Sequence, residues 1–439
     1  MHEGSHANPR TTVAIFTLGT QGDARPCIAL GQGLACQGYT VRIVTSVNFA
    51  ELVQAAGLDF KPLSGDFQAL LEGDGELVEQ GLNPLAVART FRRQLAIWAS
   101  DWVDQGRAAI VDAGLLIGVG SATLLAEALA QSSQIPFVQA QLQPLTPSRQ
   151  LPPMLLAPRW PHMPGALSLA AYQLLRLAVW QVMRPAIDQR VRTPLGLLPY
   201  SWRGPYFNRR DGRDRILYGF SEQLVPRPTD WPGDASVTGY WFADVPQWQP
   251  PEHLQNFLEA GTKPVYIGFG SMVSAAAESF TATVMAAVRQ SGRRAILATG
   301  WGGLQASSQQ RDEHICFIQQ APHDWLLPRV SAAVHHGGAG TTAAAVRAGI
   351  PSVVVPFYGD QPFWAACLAQ RGVAPPALRR RGLDAASLAQ AIEAAHTPSM
   401  QAQAAALGQR LRKENGLATA ITRLQQWGLL AQLPRRQAA

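Results

Sequence analysis

The sequence predicts an α/β chain of two doubly wound, Rossmann-like domains facing each other across a cleft, and three observations carry that expectation. Short β-branched runs alternate with Ala- and Leu-rich helical stretches, the pattern of a parallel sheet covered on both faces. The alternation begins at Thr12 and starts afresh at Pro264. Between the two lies a stretch crowded with proline and tryptophan, the composition of an interdomain connection. A length of 439 residues leaves room for two such domains. The expected boundaries are 1–230 and 256–415, with a linker at 231–255 and a terminal segment at 416–439.

Taken in order, Thr12-Val13-Ala14-Ile15-Phe16-Thr17 reads as the first strand, followed by a loop and a helix over about 27–37. Residues 41–45 form a second strand, 115–119 a third ahead of a helix near 123–131, and Phe137-Val138 opens a fourth. In the second half, strands are expected within 264–271 and at 295–298, 332–334 and 352–355. Ligands of such sheets bind beyond the carboxyl ends of the strands, so function is sought in the loops that follow them. One segment breaks the rhythm. Residues 128–187 contain no Asp or Glu, four arginines and an apolar helix with Tyr172, Leu175, Val179 and Trp180. They read either as a long connection with a packed helix, or as an apolar acceptor pocket or membrane-facing surface, since acid-free, Arg-bearing amphipathic helices favour anionic lipid.

Composition narrows the function. At 47% hydrophobic and 15% charged the chain is globular rather than disordered or fibrous. The best candidate for a spanning helix, 166–187, carries Arg176 and Arg184, includes Pro185, and is not expected to cross a membrane. The apolar run at 11–18 is too short for a signal segment and leads straight into a glycine loop. The expected location is therefore cytoplasmic, with room for peripheral membrane contact. Cys27, Cys36, Cys316 and Cys367 have neither CxxC nor metal-ligand spacing, which fits a reduced compartment and small buried thiols. A net charge of +7 permits a phosphate-bearing ligand or an anionic surface. No arginine stripe interleaved with aromatics is present, so nucleic acid is not an expected partner. There is no HExxH, no Gly-x-Ser-x-Gly and no clean DxD, the nearest being Asp74-Gly75-Glu76; neither a metal site nor a hydrolase elbow is expected.

The strongest local signal is Val334-His335-His336-Gly337-Gly338-Ala339-Gly340-Thr341-Thr342, an apolar strand running through glycines into a helix. Small residues let the backbone approach a ligand, and the N–H groups of a helix start favour an anion. A histidine at the strand end can donate to the same phosphate. Next comes Tyr358-Gly359-Asp360-Gln361-Pro362, again after a strand, where Asp360 and Gln361 suit adjacent sugar hydroxyls. Gly19-Thr20-Gln21-Gly22-Asp23 follows the first strand and lacks the middle glycine of a dinucleotide fingerprint. Asp23 there reads either as a helix cap or, facing a cleft, as the acceptor of a proton from an attacking hydroxyl.

Together these loops resemble the GT-B glycosyltransferases of family 1, in the branch of the sterol 3β-glucosyltransferases and glycopeptide-antibiotic enzymes. The resemblance covers most of the chain. Its anchors are Gly22-Asp23 with Pro26, Leu224-Val225-Pro226-Arg227-Pro228, Val237-Thr238-Gly239-Tyr240-Trp241, Gly268-Phe269-Gly270-Ser271 and Ala321-Pro322-His323-Asp324-Trp325-Leu326, ahead of the His-Gly and Asp-Gln loops.

The resemblance implies an acceptor-binding N-terminal domain, a nucleotide-sugar-binding C-terminal domain and a terminal helix crossing back to the first. It implies inverting, metal-independent transfer of a sugar, glucose first, from a UDP- or TDP-linked donor to a hydroxyl of a lipophilic acceptor such as a sterol, triterpenoid or polyketide. The nucleoside diphosphate sugar is a co-substrate, and no cofactor is implied. By the same resemblance Ala321 and His323 line the base and ribose. His335 with Gly337, Gly338, Ala339, Gly340 and Thr341 holds the diphosphate, Ser271 lines that site, and Asp360 and Gln361 grip the sugar. Asp23 and His335 are the implied catalytic pair. Two departures stand out: Asp23 replaces the histidine base of many members, and Ala343 replaces a ribose-binding glutamate of plant relatives, leaving UDP and TDP both open. A nucleotide-sugar epimerase of the same fold and a lipid-binding protein with degenerate catalysis are the competing readings.

Overall fold

A computed structural model describes residues 12–67, 70, 84–207, 215–243, 248–270, 277–300, 304 and 312–430. Among them, twelve strands form two parallel sheets. The first contains β1 (Thr12–Leu18), β2 (Thr40–Thr45), β3 (Asp59–Pro62), β4 (Ala113–Gly120), β5 (Phe137–Gln141), β6 (Ile216–Tyr218) and β7 (Ala235–Val237), ordered β3-β2-β1-β4-β5-β6-β7. Its helices are α1 (Gln21–Cys36), α2 (Ala50–Ala55), α3 (Pro84–Trp98), α4 (Trp102–Ala109), α5 (Thr123–Ser133) and α6 (Gly165–Arg184). The second sheet contains β8 (Val265–Gly268), β9 (Ala295–Ala298), β10 (Ile315–Ile318), β11 (Ala332–His335) and β12 (Ser352–Val354), ordered β10-β9-β8-β11-β12. With it go α7 (Glu252–Glu259), α8 (Ala277–Gln290), α9 (His323–Leu326), α10 (Ala339–Ala348), α11 (Gln361–Gln370), α12 (Ala385–Ala395), α13 (Pro398–Leu411) and α14 (Gly416–Gln426).

The strand period explains the layering. Along β1, Val13 and Ile15 join a core with Ile28, Leu34, Leu115 and Ile117, while Ala14 and Phe16 join another with Trp102, Leu116 and Leu125. Successive side chains leave opposite faces, so an all-apolar strand must be covered twice. In each sheet the order reverses beside its first strand: β2 lies on one side of β1 and β4 on the other, with β9 and β11 likewise flanking β8. Loops diverging there leave a crevice at the carboxyl edge.

Two expectations need correcting. The stretch 231–255 is not simply linker, because Ala235–Val237 within it is the edge strand β7, in register with Ile216–Tyr218. Two of its three tryptophans are buried: Trp231 stacks on Tyr218 with ring centroids 4.7 Å apart, and Trp241 is only 3% exposed. The helix after β1 begins at Gln21 rather than near residue 27, since Thr20 caps it and Pro26 lies inside, forfeiting one i to i−4 bond. The helix from Gly165 continues with a wider π turn to Arg192; it is long and apolar enough to cross a membrane by length and composition alone, which does not overturn the expectation that it stays out of one.

The terminal helix α14 packs on the first domain, with Ala420, Ile421 and Leu424 in the same core as Val13, Ile28 and Leu34. A further apolar seam joins the halves: Tyr218, Phe220 and Trp231 cluster with Phe363, Trp364 and Leu368. Of the cysteines, Cys27, Cys316 and Cys367 are buried and Cys36 is exposed.

Candidate active site

The first-domain contribution comes from the start of α1. Thr20 is its N-cap: its Oγ1 accepts from the Gly22 N–H at 3.3 Å, while the Asp23 carboxylate accepts from the Thr20 N–H at 2.8 Å. The Thr20 hydroxyl also donates to Asp23, at 3.3 Å. This reciprocal arrangement is a capping box with Asp in the place usual for Glu or Gln. The N-cap is thus Thr20 and not Asp23, which closes the box from the third position of α1. Desolvation pushes its pKa up to about 6 against the opposing pull of the Thr20 hydrogen bonds, and the charge of Asp360 adds to the rise. Gly19 is required here, since a Cβ at that position would run into the Asp23 carboxylate.

Asp360 arrives from the other domain. It ends the loop after β12, receives the Trp364 indole N–H at 2.7 Å and, across the crevice, the Gln143 side-chain amide at 3.3 Å. Burial raises its pKa. Its neighbour Gln361 behaves differently. That side chain is 4% exposed, and its Oε1 accepts from the N–H groups of Phe357 and Tyr358 at 2.7 and 3.2 Å. Gln361 thus holds the loop that presents Asp360.

The His-Gly loop lies at the end of β11, against the Asp360 loop. Gly337 has φ +88°, and a Cβ there would meet Val354 Cγ1 at 2.7 Å and the Gln361 carbonyl at 3.0 Å. The two adjacent histidines part company. His335 is completely buried, its Nδ1 accepting from the Gly337 N–H at 3.0 Å, so that Nε2 bears the proton. His336 is the half-buried one at the loop mouth. Its ring fits between two glycines: a Cβ on Gly338 would stand 2.5 Å from its Nε2 and one on Gly270 3.3 Å from its Cε1. The sequence singled out His335; His335 Nε2 and His336 Nδ1 are both buried without a hydrogen-bond partner among the described residues, and His336 is the more exposed of the two. Desolvation lowers the pKa of His335 to about 3 and of His336 to about 4, so both rings are neutral.

Beyond them Gly338 is the N-cap of α10 and offers no side-chain cap, so the N–H groups of Ala339, Gly340 and Thr341 have no partner within the helix. Such a terminus carries partial positive charge and favours an anion. Ala321 and His323 flank this region on the loop after β10, His323 Nε2 lying 3.3 Å from the Tyr266 hydroxyl. Burial, with the nearby charge of Arg25, lowers the His323 pKa to about 4. Ser271 and the segment around Asp74 lie outside the described residues. Among the described residues no group of three or more His, Cys, Asp or Glu side chains is placed to hold a metal ion. The crevice therefore sets a raised-pKa carboxylate from one domain against neutral imidazoles, an uncapped helix start and a second carboxylate from the other.

Comparisons with known proteins agree with this fold. Residues 13–149 match the glycosyltransferase family 28 N-terminal domain, and residues 306–419 match the C-terminal domain of erythromycin biosynthesis protein CIII-like proteins. A sterol 3-beta-glucosyltransferase of Arabidopsis thaliana is 32% identical over 433 residues, covering 95% of this chain and 68% of the relative. Another, from Neosartorya fischeri, is 34% identical over 421 residues, but the chain spans only 29% of that relative's length. Among solved structures, the calicheamicin glycosyltransferase CalG4 superposes with a TM-score of 0.67 at 18% identity, covering 95% of this chain and 98% of that one. The glycosyltransferase VinC in complex with dTDP gives 0.61 at 16%, covering 95% and 99%. At such identities the structures establish a shared fold alone.

Proposed function

This chain belongs to the GT-B glycosyltransferases of family 1, which include the sterol 3-beta-glucosyltransferases, and on that premise we propose that it transfers a sugar, with inversion, from a nucleoside diphosphate donor to a hydroxyl of a lipophilic acceptor. Glucose and a sterol are the first choices, by analogy with the names of its relatives; the dTDP held by VinC keeps TDP beside UDP as the nucleotide. The observation that carries the reading is the opposition of Asp23, on the first domain, to the uncapped start of α10, on the second.

In this reaction the acceptor oxygen attacks the anomeric carbon from the face opposite the diphosphate. The new C–O bond forms as the bond to the phosphate oxygen breaks, and the acceptor proton passes to the Asp23 carboxylate. A carboxylate with pKa about 6 is ionised at neutral pH yet more basic than a free one, which suits a general base. The departing diphosphate gains charge, which the α10 N–H groups and a neutral imidazole of His336 stabilise by donation. Asp360 accepts hydrogen bonds from the sugar hydroxyls. Neither cofactor nor metal ion takes part in this proposal: the helix start supplies partial positive charge and the neutral imidazole an N–H donor.

The test is thermal unfolding with UDP, TDP, GDP or NAD, each with and without EDTA, followed by transfer from the stabilising nucleotide's glucose conjugate to a sterol. A ligand at about 100 times its Kd should stabilise by about 2.7 kcal/mol. Stabilisation by UDP or TDP, indifferent to EDTA and followed by product, supports the reading. Stabilisation by NAD alone, or only with added metal, overturns it.

A further inference from the structure

We propose that the outward face of α6 docks this protein on an anionic lipid bilayer; the proposed function enters only in naming the lipophilic acceptor that such docking would deliver. The face is apolar and uncovered. Leu167 is 56% exposed, Leu174 68% and Val179 50%, and Ala166, Ala170 and Ala178 are exposed beside them. Leu167, Ala170, Leu174, Ala178 and Gln181 follow one another at spacings of three or four, so they form a single stripe with no charged side chain. The opposite side is anchored. Tyr172 and Trp180 are buried, the Ser168 hydroxyl donates to the Ser148 carbonyl at 2.7 Å, and Trp180 meets the Tyr200 ring at 5.5 Å. A helix held along one side can lie on a bilayer, its exposed side among the acyl chains.

Charge selects the occupant. From residue 128 to 207 the chain holds seven arginines and one acid, Asp188. That acid is 6% exposed, accepts from the Tyr200 N–H at 3.0 Å and lies 3.5 Å from Arg184, so this segment exposes no carboxylate. Arginines flank the stripe at both ends. Arg149 packs against Gly165 at the start of α6, and the Gln181 amide donates to the Trp202 carbonyl at 2.8 Å, bringing Trp202 and Arg203 beside its far end. Trp202 is 57% exposed, with the Arg203 guanidinium 5.3 Å from its ring centre. The neighbouring α3 adds exposed Arg89, Arg92 and Arg93 and the 55%-exposed Ile97. Apolar surface rimmed by arginine and tryptophan matches the interface of a bilayer with anionic headgroups. The docked face also adjoins the crevice: Arg176 of α6 donates to the Leu145 carbonyl at 3.1 Å, two residues from the Gln143 that bonds Asp360.

The test is co-sedimentation of the full chain, without nucleotide or acceptor, with vesicles of phosphatidylcholine and of phosphatidylcholine mixed with phosphatidylglycerol. The protein should pellet with the anionic vesicles, and Leu174→Glu should abolish pelleting with an unchanged melting temperature. Arg149→Gln and Arg203→Gln should each lower partitioning about fivefold, the worth of one arginine near an anionic surface. Failure to pellet with anionic vesicles, or pelleting that Leu174→Glu leaves intact, overturns the proposal. So does a dimer in sedimentation velocity that the same substitution disperses, which would give the face to a second copy. Because no substrate is present, a failure here leaves the transferase reading standing, and absent transfer with intact vesicle binding counts against that reading alone.

Discussion

The Asp23 carboxylate accepts the Thr20 backbone N–H at 2.8 Å, so the group that closes the capping box of α1 is the same one that feels the charge of Asp360 on the opposing domain. A side chain fixed by its own helix start needs no flexible reach to meet a substrate, and its basicity is set by how much water the crevice excludes. If Asp23 is the proton acceptor, Asp23→Asn should lower kcat by roughly 10²–10⁴. The activity of the parent should fall on the acid side with an apparent pKa near 6, since protonation removes the base. Steady-state rates across pH check both. A variant within about threefold of the parent, or an acid limb near an ordinary carboxylate value, takes the role from Asp23.

The same shift has a consequence for stability. A carboxyl group titrating at about 6 in the folded chain and near 3.8 when unfolded binds its proton more tightly in the folded state. Its contribution is favourable while protonated and is lost as pH rises through 6. Asp23→Asn should therefore melt higher than the parent at neutral pH, and the gap should close as the pH falls towards 4. A variant that melts lower at neutral pH would mean that the Thr20 hydrogen bonds outweigh the desolvation.

Thr20 bonds the Asp23 carboxyl through both its backbone N–H and its hydroxyl. Its hydrogen bonds pull the carboxyl pKa down, so Thr20→Val, which keeps the backbone donor and removes the hydroxyl, should move the acid limb upward. Loss of the cap should also cost about 1 kcal/mol of stability. Thr20→Ser should restore both. A rate loss in Thr20→Val with an unmoved pH profile would reduce Thr20 to a structural cap.

Much of this site was legible because its residues follow apolar strands in a doubly wound pattern, where loops at the carboxyl edge converge. Asp23, Asp360 and the glycines of the His-Gly loop stand in such loops. What escaped the sequence depends on tertiary contacts. Pro26 disguised the start of α1, because its single lost bond is outweighed by the cap at Thr20. The three residues of β7 were hidden among prolines and aromatics that turn out to pack against Trp364. The locking of Gln361 to Phe357 and Tyr358 follows from the loop's path.

The histidine pair separates by assay. His336→Ala should weaken UDP binding by roughly tenfold or more, as expected for loss of a hydrogen bond to a charged group. Its melting temperature without ligand should change little, because the ring is half-buried at a loop mouth. His335→Ala should instead lower the melting temperature, since it empties a fully buried site and removes the Gly337 N–H acceptor. Titration calorimetry with UDP and thermal unfolding distinguish them. The reverse pattern would return the diphosphate to His335.

Gln143 reaches Asp360 from the opposite domain at 3.3 Å, joining the loop after β5 to the loop after β12. The Trp364 indole, at 2.7 Å, holds the same carboxylate from within its own domain, so Gln143 is not needed to build the donor site. If its contribution is to align the two halves once the sugar lies between them, the sugar step and not nucleotide binding should depend on it. Gln143→Leu should then leave UDP affinity within about twofold while lowering kcat/KM by roughly 10-fold to 100-fold, the range for a hydrogen bond to a charged partner. Calorimetry with UDP alone and initial rates with the sugar conjugate supply the two quantities. An equal loss in both would mean that Gln143 supports the nucleotide pocket, and an unchanged kcat/KM would mean that the halves align without it.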